Sequence, residues 1–173
     1  DQSDVAFLEY VLEDSRGEFD VIIDDGSHVP DHQILTFNKL FGSLKPGGLY
    51  IFEDIETSYW DATTASLYGY PIVNSGIGKR GSAIEKLKGL VDVINRKFLL
   101  DPSFSILHGN VDHLISHLTF SQNCVVLHKQ TKQNWEEVDM KYRVSESKVD
   151  YTRAHYNEYK ARSNWEVAGM VRE

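Results

Sequence analysis

A chain of 173 residues with 41% hydrophobic and 12% aromatic content has the size and composition of one soluble globular domain. No apolar run approaches the roughly 18 to 20 residues that cross a bilayer, and no secretory signal opens the chain, so a membrane partner is not expected. The net charge of −8 is concentrated: residues 1–60 hold 13 acidic and 3 basic side chains, the remainder 13 and 15, which disfavours a nucleic-acid partner at the opening unit and favours a cation.

In chain order, Asp1-Gln-Ser-Asp4 leads into a predicted helix with Ser3 as N-cap and Phe7, Leu8, Val11 and Leu12 on one face; Gly17 ends it. Val21, Ile22 and Ile23 form a β-branched run of the kind buried on both faces of a parallel sheet, and Leu49 to Phe52 repeat it after Pro-Gly-Gly. Between them, His32 to Leu44 carries Ile34, Leu35, Phe37, Leu40, Phe41 and Leu44 at helical spacing. The result is a β-α-β unit with Asp24, Asp25, Glu53 and Asp54 at the carboxyl ends of two parallel strands, the edge where open α/β sheets bind ligands. No glycine-rich nucleotide turn such as G-x-G-x-x-G is present, and the chain reads as the second half of a doubly wound domain.

Residues 55–82 have neither helical nor strand period and are too long for an ordinary βα loop. Their aromatics, among them Tyr59, Trp60, Tyr68 and Tyr70, suit contact with a sugar or an organic ring. A helix is predicted from Ser82, capped by Ser82 with Glu85 three residues on, with Ile84, Leu87, Leu90, Val91 and Ile94 inward. Phe104 to His108 reads as a short strand, Asn110 to Leu118 as a turn or short helix, and Cys124 to His128 as a further strand. The single cysteine, Cys124, reads as a buried small hydrophobe in a reducing, hence cytoplasmic, compartment. The domain is drawn as residues 1–128 and the polar residues 129–173 as a tail, with Tyr151 to Ala161 an exposed helix.

The motifs Asp24-Asp-Gly-Ser-His28, Lys45-Pro-Gly-Gly48, Glu53-Asp54, Ser58-Tyr-Trp60 and Leu87-Lys-Gly-Leu-Val-Asp92, with Asp1-Gln-Ser-Asp4 before them, carry a resemblance over residues 1 to about 128. Together they resemble class I S-adenosylmethionine-dependent O-methyltransferases of the metal-dependent macrolide-sugar type. The resemblance implies a Rossmann-like sheet of order 3-2-1-4-5-7-6, of which this chain supplies strands four to seven, the carboxyl-terminal portion. It implies S-adenosylmethionine and Mg²⁺ as cofactors and a sugar-like small molecule as acceptor. It also places Asp1 and Gln2 in the loop after the third strand, near the adenine of the cofactor.

The same chemistry follows from the residues. A sugar hydroxyl has a pKa far above 7, so its methylation calls for a base, a metal that lowers that pKa, or both. Asp25, Glu53 and Asp54 are hard oxygen donors from adjacent strand ends, suited to Mg²⁺, and His28, three residues past Asp25, is placed to take the proton. The resemblance assigns the same roles: Asp25, Glu53 and Asp54 as metal ligands and His28 as general base. Asp24, pointing to the other side of its strand, reads as structural.

Each reading has a plainer rival. Strand-end acids often cap the next helix, His28 could serve a backbone hydrogen bond, and Tyr59 and Trp60 could be packing as readily as substrate contacts. The pairs His28/His32 and His113/His117 lack a third soft ligand for zinc, and the second pair is expected to face solvent on a short helix. The alternative to an O-methyltransferase is a non-catalytic half-domain that pairs with another chain. A hydrolase using the acids and His28 would lack a motif such as G-x-S-x-G. Without a neighbour, the strand at Asp20 to Ile23 leaves an apolar edge, so self-association or a homo-oligomer is expected.

Overall fold

The computed structural model describes residues 1–60, 66–96, 104–107 and 111–131. Its elements in order are α1 (Val5–Asp14), β1 (Phe19–Asp24), α2 (Pro30–Leu40), β2 (Leu44–Glu53), β3 (Ser66–Leu67), β4 (Tyr70–Pro71), α3 (Ala83–Ile94), β5 (Ile115–Ser121) and β6 (Cys124–Lys129). The main sheet has the order β1-β2-β6-β5, with β1 and β2 parallel and β6 antiparallel to both of its neighbours. Numbered as the resemblance numbers them, these are strands 4-5-7-6.

Alternation along the strands builds one core. Tyr50 and Phe52 of β2 and Val125 and Leu127 of β6 point to one face, where they pack with Leu8 of α1, Phe37 and Leu40 of α2, and Ile84, Leu87, Leu90 and Val93 of α3. Phe37 stacks 5.5 Å from Phe52 and meets Tyr50 edge-on at 5.1 Å. Where β1 and β2 draw together, a Cβ on Gly48 would stand 2.9 Å from the Asp20 carbonyl oxygen, so the last glycine of Lys-Pro-Gly-Gly admits the neighbouring backbone.

Several expectations are corrected. The β-branched run of β1 is not buried on both faces: Val21 is 47% and Ile23 57% exposed, because β1 is an edge strand of the described sheet and the described helices join the core on the opposite face. The cap of α1 is Asp4, whose carboxylate accepts from the Ala6 and Phe7 amides, while Ser3 bonds Asp1; Phe7 is exposed. Ser82 does cap α3, but Val91 is exposed and Val93 takes its place in the core. Residues 104–107 form no strand. Phe104 and Leu107 are buried there, and the Asp112 carboxylate accepts from the Ile106 and Leu107 amides and the Ser105 hydroxyl.

The strand that follows is Ile115–Ser121, drawn into the sheet by β6. His117 therefore lies on β5 and stacks 3.7 Å from His128 of β6, not on a helix with His113. Burial and the neighbouring His117 hold His128 below the usual imidazole range. Cys124 is half-buried. The boundary at 128/129 falls one residue before the end of β6, and the expected helix at 151–161 lies outside the described residues.

Candidate metal and proton-transfer site

Asp25, His28 and Asp54 come together at the carboxyl ends of β1 and β2, with one ligand atom from each lying within 4.8 Å of the others. His28 Nε2 is 3.1 Å from Asp25 Oδ1 and 3.5 Å from Asp54 Oδ2. The Asp25 and Asp54 side chains are 58% and 45% exposed and that of His28 20%, so the acids face an open mouth with the imidazole behind them. His28 and Asp54 both hold left-handed backbone, at φ 54° and 52°, a conformation that Asp and His tolerate better than most non-glycine residues.

Neighbouring groups hold the two loops. Beneath Asp25, Asp24 is buried and accepts from the Tyr50 hydroxyl at 2.9 Å and the Gln2 amide at 2.5 Å, which bears out its structural role. Burial pushes its pKa up to about 6, against the lowering effect of those bonds, and burial with the nearby carboxylate pushes Tyr50 well above its ordinary value. The other end of the Gln2 amide accepts from the Ser27 amide at 2.7 Å. Gly26 is what permits this, since a Cβ there would meet Gln2 Oε1 at 2.5 Å. Ser27 Oγ shares a hydrogen bond with His32 Nδ1, and the Thr57 hydroxyl donates to the His28 carbonyl. On the Asp54 side, Asn123 Nδ2 donates to Asp54 Oδ1 at 2.7 Å.

Glu53 ends β2 half-buried; its carbonyl accepts from Gln33 Nε2 at 2.8 Å, and its carboxylate is not one of the three clustered groups among the described residues. Asp1 and Gln2 stand beside the end of β1, with Asp1 accepting from the Tyr70 hydroxyl at 2.6 Å. Tyr70 packs edge-on against His32, at 4.5 Å. Tyr59 and Trp60 are 40% and 42% exposed rather than core, and Lys88 Nζ lies 5.9 Å from the centroid of the Tyr59 ring.

The residues that the sequence did not single out are Tyr50, Thr57 and Asn123. Asn123 had a signal only in the pairing: with Glu53 opposite Cys124, antiparallel register puts residue 123 beside residue 54.

The donor set fits a hard divalent cation. Two carboxylates converge, and among the described residues neither is paired with a lysine or arginine; they lie in the part of the chain that carries the acidic excess.

The described sheet has the order of strands four to seven of the class I methyltransferase fold, with acidic residues at its strand ends. No protein-family model matches the chain. It is 35% identical over 130 residues to mycinamicin VI 2''-O-methyltransferase of Micromonospora griseorubida, covering 75% of this chain and 30% of that one. It is 53% identical over 62 residues to an 8-demethyl-8-alpha-L-rhamnosyl tetracenomycin-C 2'-O-methyltransferase of Streptomyces olivaceus, covering 36% and 16%.

Among solved structures it resembles the MycE methyltransferase of the mycinamycin pathway in complex with Mg, SAH and mycinamycin VI. The TM-score is 0.58 at 29% identity, over 84% of this chain and 32% of that one. The resemblance to sugar O-methyltransferases is borne out in sequence and in fold. The chain spans about a third or less of the length of these relatives.

Proposed function

We propose that this chain supplies the metal-binding and proton-accepting part of an S-adenosylmethionine-dependent O-methyltransferase that acts on a hydroxyl of a sugar or glycosylated small molecule. The observation that carries the reading is the convergence of Asp25, Asp54 and His28 at the strand ends, in a chain similar to enzymes of that chemistry. Bound Mg²⁺ would supply Lewis acidity toward the acceptor hydroxyl, and S-adenosylmethionine the methyl group. Asp25 and Asp54 would hold the ion, with Glu53, from the same strand end as Asp54, as the third ligand that the resemblance implies.

His28 is the proton acceptor. Nε2 is the ring nitrogen turned to the acids, 3.1 Å from Asp25 and 3.5 Å from Asp54. In the neutral tautomer with its hydrogen on Nδ1, Nε2 has a free lone pair and would take the hydroxyl proton, leaving an imidazolium beside the two carboxylates. Thr57, by bonding the His28 carbonyl, keeps the backbone in the conformation that aims the ring at the acids. The exposed Tyr59 and Trp60 offer apolar faces for a sugar ring, and Asp1 and Gln2, beside the end of β1, would border the cofactor, as the resemblance implies. No helix among the described residues is long and apolar enough to cross a membrane.

The test uses the intact protein that carries this chain, assayed for methyl transfer to a rhamnosylated acceptor. EDTA should abolish activity and Mg²⁺ restore it. Glu53→Gln should raise the Mg²⁺ requirement and recover at high Mg²⁺ by mass action. His28→Ala should lose about 10²- to 10⁴-fold, unrecovered by metal and partly recovered at higher pH, where more of the hydroxyl is ionised. Full activity in EDTA would rule out the metal, and full activity of His28→Ala at neutral pH would rule out His28 as the base.

A further inference from the structure

We infer that Asn123, at the tip of the β5–β6 hairpin, is a positioning residue for the metal site: it ties down one oxygen of Asp54 and leaves the other aimed at the cation. This rests on the metal reading above and adds a residue from a part of the chain remote in sequence from the acidic motifs.

Three observations carry it. Asn123 Nδ2 donates to Asp54 Oδ1 at 2.7 Å, while Asp54 Oδ2 is the oxygen that faces His28 Nε2 at 3.5 Å, so the two oxygens of one carboxylate have separate duties. The backbone ties the same two segments together, since the Ile55 amide donates to the Asn123 carbonyl and Glu53 pairs with Cys124 in register. Finally, Asn123 Oδ1 is buried with no hydrogen-bond partner among the described residues.

The last point separates positioning from turn-making. Asn123 sits at φ 58°, where asparagine is tolerated and glycine is at least as good. A turn residue alone would leave its amide in water. Here the amide is turned inward, with Oδ1 buried and Nδ2 on Asp54. An amide can only donate from Nδ2, so it neutralises none of the charge on Asp54; it fixes the plane of the carboxylate. Hydrogen bonds of this kind to a ligating carboxylate commonly govern metal affinity by about 10- to 100-fold.

The variant that isolates the effect is Asn123→Gly, which keeps the left-handed turn and removes the amide. Mn²⁺ titration calorimetry on the 173-residue chain should show binding weakened about 10- to 100-fold relative to wild type, with the thermal midpoint of the metal-free chain little changed. In the intact protein the same variant should show a raised metal requirement, with turnover restored by excess Mn²⁺. A merely structural lesion would lower turnover at every metal concentration.

Wild-type affinity in Asn123→Gly overturns the inference and leaves the metal reading standing. Turnover that excess Mn²⁺ does not restore also overturns it. A wild-type chain that binds no Mn²⁺ removes both.

Discussion

Gln2 shows how much a single residue can do that the sequence does not announce. Its amide bonds Asp24 and the Ser27 amide, bracing the loop that carries Asp25 and His28. The brace depends on Gly26, whose missing Cβ leaves the space that Gln2 Oε1 fills. Gly26→Ala should therefore displace Gln2 and weaken both bonds, lowering stability in urea unfolding by about 1 kcal/mol. In a Gln2→Ala background the same substitution should cost much less, because nothing is left to displace. Equal costs in the two backgrounds would mean that the glycine serves something other than Gln2.

What could be read of the site at this scale came from residues whose chemistry is local: adjacent acids, a histidine three on, a glycine between them. Asn123 and Thr57 were hidden because their roles come from strand register and loop closure across 69 and 29 residues of sequence.

Among the elements, the β-α-β unit was readable because period and strand-end acids agree over residues 19–54, whereas the stretch from Phe104 to Leu118 was not. There a buried carboxylate, Asp112, organises a coil by taking the Ile106 and Leu107 amides, and no hydropathy pattern announces that. β1 was identified correctly as a strand and incorrectly as fully buried. Apolar composition cannot distinguish a strand covered within its own chain from one that presents Val21 and Ile23 outward.

In the described structure β1 pairs only with β2, so one row of its backbone donors and acceptors has no strand beside it. An apolar edge of this kind recruits another strand. Sedimentation of the 173-residue chain should show self-association that rises with concentration and is weakened by Val21→Lys. A monodisperse monomer at all concentrations would mean that the edge is already covered.

For the molecule as a whole, the division of labour is clear in where its groups lie. The described strands bring the carboxylates and the histidine to one sheet end, over a single core formed by α1, α2 and α3 with β2 and β6. The 4-5-7-6 order makes this possible: β6 runs back between β2 and β5, and its first turn reaches the acids. Everything proposed for the reaction rests on those acids holding a divalent cation.

The most direct measurement is Mn²⁺ binding to the 173-residue chain, wild type against Asp25→Asn, by electron paramagnetic resonance of the free ion. The account predicts saturable binding of one ion per chain by the wild type and an affinity at least about ten times weaker in Asp25→Asn, since an amide is a poorer donor to a hard cation than a carboxylate. No saturable binding, or equal binding by the two, would contradict it.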